Sequence, residues 1–247
     1  MTTRPSWPAH VVAHRGESAD FPENTLLAMQ SALQNGANYL ECDIQLSQDA
    51  QAMVIHDSRM GRTTACRQGR VWDYSSQMLR NMSAGYEERF AKKFSDENIP
   101  TLQALVDLLR QWPQAHVFVE LKRASLAHFG HSVMLDAVMP SLAGIDGRYT
   151  IISYDFDVLQ HVKSEYRQAV GWVSDNVDDE VIARADQLAP EFLITDADSI
   201  DKKYLTNKAG WRWMLFEVNE PAAAQAWLAA GVDFIETNRV ANYFSQS

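Results

Sequence analysis

The chain has 247 residues, 46% of them apolar and 22% charged, enough to bury a sizeable core without staples. Its 32 acidic against 22 basic residues leave a net charge of -10, which disfavours nucleic acid and anionic membranes as partners, so that an anionic ligand has to be held by local cations or a metal. Two cysteines, Cys42 and Cys66, no apolar run approaching the roughly 18 residues of a membrane span, and an opening Met1-Thr2-Thr3-Arg4-Pro5 that leads into no apolar stretch together point to a cytoplasmic protein without stable membrane association.

Strand and helix signals then alternate along the chain. Residues 10–14 read as a strand, and after Pro22 the run 24–34 places Ala28, Met29, Ala32 and Leu33 on one stripe and stops at Gly36, as an amphipathic helix does. Residues 39–45 and 52–57 are strands too close together for a crossover helix, so they form a hairpin, and the second stands outside any parallel set. Centring that hairpin on Asp49-Ala50 sets His56 opposite Asp43. Residues 58–98 are the longest and least regular connection, expected to be a loop-rich excursion over the site.

Thr101 caps a helix carrying Leu102, Leu105, Val106 and Leu109 that ends before Pro113. Strands follow at 116–122, 149–153, 169–173, 192–195 and 212–218, then Asn219 as N-cap of an Ala-rich helix with Pro221 in its first turn, and a last strand at 234–237. Nine strands less the hairpin strand leave eight, which is α/β architecture: a TIM (β/α)8 barrel with an extra hairpin strand and an insertion, forming one domain over 1–247.

In such a barrel the chemistry sits at the C-terminal ends of the strands. There the chain carries His14 and Arg15, Glu41 and Asp43, Glu120 and Lys122, and Phe216 to Asn219. Residues two apart on a strand share a face, so Glu41 pairs with Asp43 and Glu120 with Lys122. Three inward carboxylates repel unless a cation sits among them, which makes Glu41, Asp43 and Glu120 candidate oxygen ligands of Mg²⁺ or Ca²⁺. His14 and His56 are candidates for general acid and base, with Arg15 and Lys122 on the oxygens of a phosphodiester. The competing reading is an ion-pair network of these acids with Arg15 and Lys122 and no metal. Which histidine would be the acid stays open.

The pieces His14-Arg15-Gly16, Pro22-Glu23-Asn24-Thr25, Glu41-Cys42-Asp43, His56-Asp57, Arg62-Thr63-Thr64, Ile99-Pro100-Thr101-Leu102, Glu120-Leu121-Lys122 and a looser Phe216-Glu217-Val218-Asn219 occur in that order. In them the chain resembles the glycerophosphodiester phosphodiesterase family. The resemblance implies a TIM barrel, a Mg²⁺ or Ca²⁺ site at Glu41, Asp43 and Glu120, proton transfer by His14 and His56, and Glu23, Phe216 and Asn219 against substrate. It also implies release of sn-glycerol 3-phosphate and an alcohol, with the neighbouring glycerol hydroxyl attacking phosphorus first. Glu23 has a competing role as an acid in a helix's first turn. Two departures stand out: Phe216-Glu217 where the family has Trp-Thr, and Thr237-Asn238-Arg239-Val240 where it has Thr-Asp-x-Pro, so no catalytic role is expected of Asn238. Alternative functions are a lysophospholipase D acting on lipid diesters, which needs an apolar rim, and a non-catalytic phosphodiester sensor, which does not need two histidines.

Overall fold

The structure, a computed structural model, describes residues 7–206 and 210–244; the opening Met1-Thr2-Thr3-Arg4-Pro5 lies outside the described residues. The strands are β1 Val11–Ala13, β2 Tyr39–Leu46, β3 Ala52–Val54, β4 His116–Leu121, β5 Tyr149–Ser153, β6 Val170–Ser174, β7 Phe192–Asp196, β8 Arg212–Phe216 and β9 Phe234–Thr237. They run in the order β1-β9-β8-β7-β6-β5-β4-β2-β3, and β1 also pairs with β2. That pairing closes eight parallel strands into the expected barrel and leaves β3 outside it.

Helices are α1 Leu26–Gln34, α2 Ser76–Leu79, α3 Glu87–Phe90, α4 Leu102–Arg110, α5 Arg123–Phe129, α6 His131–Val138, α7 Phe156–His161, α8 Asp179–Leu188, α9 Pro221–Ala229 and α10 Ala241–Phe244. The hydroxyls of Thr25 and Thr101 accept the backbone N–H groups of Ala28 and Ala104, which starts α4 where the sequence asks for it and α1 two residues inside the expected run 24–34. No described helix is long and apolar enough to cross a membrane.

Alternation along the strands divides the apolar residues between two cores. Leu40, Cys42 and Ile44 of β2 and Val117, Val119 and Leu121 of β4 face outward and pack with Ala28-side partners Met29, Ala32 and Leu33 of α1 and with Leu105 and Leu109 of α4. Cys42 is therefore core, as expected. Val12, Phe118, Ile152, Val173, Phe192, Ile194, Met214 and Phe234 face inward and fill the barrel. Gly171 is small because a Cβ there would lie 2.9 Å from the side chains of both Ile152 and Ile194.

Three local expectations are corrected. The hairpin is antiparallel, but Ile44 pairs with Val54 and Leu46 with Ala52, so Ile55, not His56, stands opposite Asp43. The turn centres on Asp49: Ser47 and Gln51 close it, and Ala50 takes a left-handed φ of 53°. This register puts Ile44, Leu46, Ala52 and Val54 together in the outer core, which a one-residue slip would undo. Secondly, Glu220 rather than Asn219 is the N-cap of α9. Asn219 instead turns its Oδ1 to the Thr237 hydroxyl (3.1 Å) and the Asn238 N–H (2.9 Å). Thirdly, His14, His56, Lys122 and Val218 lie just beyond the strands rather than in them.

The excursion from residue 58 to 98 is loop-rich, with α2, α3 and a 3₁₀ turn at Val71–Asp73. It has an apolar cluster of its own, in which Met60, Val71, Leu79 and Ala84 pack with Met53, Ile55 and Ile99. At the barrel mouth it is tied down by Arg62 and by Arg89, whose guanidinium donates to the Ala19 carbonyl at 2.7 Å.

Candidate active site

The site begins in the turn after β1. The His14 N–H donates to the Thr237 carbonyl (2.9 Å), and the chain then folds back through left-handed Arg15 (φ 57°) and Gly16 (φ 82°). A Cβ on Gly16 would stand 2.5 Å from the Ala28 carbonyl carbon, so only glycine lets the turn lie against α1. The turn aims the Arg15 N–H at Glu41 Oε2 (3.1 Å) and its Nε at Asp43 Oδ2 (3.0 Å). Asn24 serves the same acid: its amide donates to Asp43 Oδ2 (2.8 Å) and its Oδ1 accepts the Asp43 N–H (3.2 Å). These contacts give the sequence pieces around residues 14–16 and 22–25 a common physical purpose.

Glu41, Asp43 and Glu120 meet, each offering an oxygen within 4.8 Å of the others, and all three are buried. Lys122 Nζ lies 2.8 Å from Glu120 Oε1 and 3.1 Å from Asp43 Oδ1. Burial pushes the Asp43 carboxyl up, but Lys122 and Arg15 outweigh it and hold the group well below the usual carboxylate range. Glu41 goes the other way: burial, then the charges of Asp43, Glu236 and Glu120, push it well up. Burial and the Asp43 charge likewise raise Glu120. The ion-pair reading thus accounts for Asp43, whose Oδ1 faces Lys122, and for Glu120 in part, but not for Glu41, whose Oε1 is buried without a hydrogen-bond partner. An orphaned buried carboxylate oxygen in a close all-oxygen set fits a hard divalent ion.

The two histidines differ in their surroundings. His14 Nδ1 lies 3.0 Å from Asn238 Oδ1, an amide oxygen that can only accept, so Nδ1 carries the proton and Nε2 the lone pair. Burial, followed by the nearby Arg15 charge, lowers its pKa to about 3, so the imidazole is neutral. His56 Nδ1 instead lies 2.6 Å from Asp57 Oδ1. Burial raises Asp57, but its bonds to His56 and Arg62 outweigh this and hold it ionised. Arg62 Nε donates to Asp57 Oδ2 (2.6 Å), and its NH groups grip both oxygens of Glu23 at 2.7 Å. Glu23 also receives Arg15 (3.0 Å), so it joins two arginines rather than capping a helix.

His14, Arg15, His56, Glu41, Glu120, Lys122 and Phe216 line one central cavity of about 90 Å³. Cavities of about 470 and 550 Å³ flank it. Arg15, Glu23, Arg62, Arg89 and Asn219 border the first, and His56, Arg59, Lys122 and Arg123 the second. The candidate residues read from the sequence are therefore brought together, with Asn219 and Glu23 on the flank. Sequence reasoning missed Glu236, which lies in the cavity wall with an oxygen within 4.8 Å of ligand atoms of His14 and Glu41. It also missed Asn238 as the partner of His14, and Asp57 and Arg62 as the partners of His56 and Glu23. An acid two residues beyond the inward Phe234 was the available signal for Glu236.

The sequence model of the glycerophosphoryl diester phosphodiesterase family matches residues 14–242. The chain is 40% identical over 99 residues to a glycerophosphodiester phosphodiesterase of Caldanaerobacter subterraneus, covering 40% of each. It is 35% identical over 132 residues to mouse glycerophosphodiester phosphodiesterase 1, 53% of this chain and 37% of that protein. The aligned segments span about two fifths of the length of these curated relatives. The fold is similar to that of an Oleispira antarctica phosphodiesterase solved in complex with the product sn-glycerol-3-phosphate, with a TM-score of 0.85, 23% identity and coverage of 96% of this chain and 97% of that one. It is also similar to a Thermotoga maritima glycerophosphodiester phosphodiesterase, with a TM-score of 0.74, 21% identity and coverage of 97% and 98%.

Proposed function

The chain belongs to the glycerophosphoryl diester phosphodiesterase family, and from that premise we propose that it is a single-domain, cytoplasmic enzyme that hydrolyses glycerophosphodiesters to sn-glycerol 3-phosphate and an alcohol. The observation that carries the mechanism is the pair of histidines on one small cavity, each with its Nδ1 on an oxygen acceptor, the neutral amide of Asn238 for His14 and the carboxylate of Asp57 for His56. His14, neutral with Nε2 unprotonated, takes the proton from the attacking hydroxyl, either the neighbouring glycerol hydroxyl or water. His56, oriented by the 2.6 Å contact of its Nδ1 with Asp57 Oδ1, gives a proton to the departing alkoxide. If the glycerol hydroxyl attacks first, the two exchange roles when water opens the cyclic phosphate.

Arg15 and Lys122 orient the non-bridging phosphate oxygens, and Glu23 holds Arg15 in place. Glu41, Asp43 and Glu120 would hold Mg²⁺ or Ca²⁺, which when bound supplies Lewis-acid polarisation of the phosphate. Phe216 forms part of the wall against the glycerol, and Asn219 lines the flanking cavity toward one substituent. Those flanking cavities are bordered by arginines, which suits small polar substituents better than an acyl chain.

The test is release of glycerol 3-phosphate from glycerophosphocholine, with Mg²⁺ or Ca²⁺ and with EDTA. Release that stops with EDTA and returns with either cation supports the reading. No release under any cation leaves a phosphodiester-binding protein, and faster turnover of lysophosphatidylcholine makes it a lipid-directed enzyme.

A further inference from the structure

Glu236 is an inward acid that the proposed reaction leaves without a task. It stands at the end of β9, 3% exposed, with its Oε1 buried and without a hydrogen-bond partner. Burying a carboxylate oxygen unpaired is costly, and nothing in the packing of β9 demands an acid there, since the preceding inward residue is Phe234. His14 and Glu41 offer potential ligand atoms beside it, and one atom from each of the three lies within 4.8 Å of the others. Glu41 also belongs to the all-carboxylate triad with Asp43 and Glu120, so two triads share one bridging carboxylate.

We propose that His14, Glu41 and Glu236 form a second cation position, beside the all-oxygen triad and of different chemistry, that takes a borderline transition ion such as Zn²⁺ in preference to Mg²⁺ or Ca²⁺. One imidazole and two carboxylates are the ligand types of zinc sites with an open fourth position, whereas Mg²⁺ and Ca²⁺ prefer oxygen alone. The outer contacts are of the kind such sites use: Asn238 Oδ1 accepts the Nδ1 proton of His14 and leaves Nε2 as ligand, and the Arg15 N–H holds the second oxygen of Glu41. The unpartnered Glu41 Oε1 and Glu236 Oε1 are the oxygens left to bind. An ion held there occupies the lone pair with which His14 would accept a proton. Zn²⁺ is therefore an inhibitor that acts while the carboxylate triad keeps its own cation, a consequence that rests on the base role proposed for His14.

Calorimetric titration with Zn²⁺ in excess Mg²⁺ tests the site without reference to turnover. Wild type is expected to bind one Zn²⁺ per chain, Glu236→Gln to bind it at least about tenfold more weakly, and Glu120→Gln, in the other triad only, to bind it within about threefold of wild type. Melting of Glu236→Gln in chelator, expected to be no lower than that of wild type, shows that the variant folds. Equal Zn²⁺ affinity in wild type and Glu236→Gln overturns the proposal, as does a loss in Glu120→Gln as large as that in Glu236→Gln. In the Mg²⁺-supported glycerophosphodiester assay, Zn²⁺ should inhibit wild type and Glu236→Gln should need at least about tenfold more Zn²⁺ for the same inhibition. If no glycerophosphodiester is turned over at all, the function falls while the calorimetry still decides the site.

Discussion

Two successive layers of the same barrel have opposite characters. Val12, Tyr39, Phe118 and Phe234 face one another inside the barrel as an apolar plug, and two residues further along the same strands stand His14, Glu41, Glu120 and Glu236. Each strand step of two keeps the face and moves the side chain about 6.6 Å along the barrel. The lower layer buries aromatic area, with Phe118 edge-on to Phe192 at 4.9 Å. The upper layer buries carboxylates with orphaned oxygens, a poor way to gain stability and a good way to attract a cation. Stability and chemistry are thus neighbours on the same strands, separated by one side-chain layer.

That separation can be broken from either side. Replacing His14 or His56 by Ala is expected to cut glycerol 3-phosphate release about a thousandfold while moving the melting temperature by less than about 2 °C. A loss of only about threefold would remove the histidines from the mechanism. In the lower layer Phe118→Ala should do the reverse: about 3 to 4 kcal/mol less stability in urea, with turnover of the folded molecules within about threefold of wild type.

Glu17 sharpens the comparison because it is a buried acid outside both candidate triads. Its Oε2 accepts the Ala241 N–H at 2.8 Å, and its Oε1 has no hydrogen-bond partner. Burial, only partly offset by that bond, pushes its pKa up to about 7. The unfolded chain ionises it near about 4.3, so the folded state holds the proton longer. Its contribution to stability is full below pH 4.3 or so and is lost as pH rises through about 7, up to about 3 kcal/mol in all. Denaturation of wild type and Glu17→Gln across that range should show wild type losing more stability than the variant by that amount, and chelator should leave the difference unchanged. The smallest effect belongs to Asn238→Ala, expected to lower kcat about tenfold with little change in KM, because His14 loses the acceptor that holds its Nδ1 proton. An unchanged kcat would make that contact incidental.

Much of the upper layer was legible before the fold was known. Glu41 with Asp43 and Glu120 with Lys122 follow from period two, and His14 and Arg15 stand out as polar residues at the end of the first strand. The hairpin was legible as antiparallel, but its register was not, because Asp49 or Asp49-Ala50 are equally good turn centres until Ile44 and Val54 are seen to share the outer core. His56 reached the site by leaving its strand, not by the cross-strand pairing that local geometry suggested.

What the sequence determined alone was local: strand and helix signals, the number of strands, the cap at Thr101, and the acids that share a strand face, all of which depend on residues a few positions apart. The tertiary structure decided which acids stay unpartnered and which nitrogen of His14 holds the proton. Asn238 and Glu236 reach His14 only because β9 closes on β1, joining segments more than 200 residues apart, where no periodicity carries a signal.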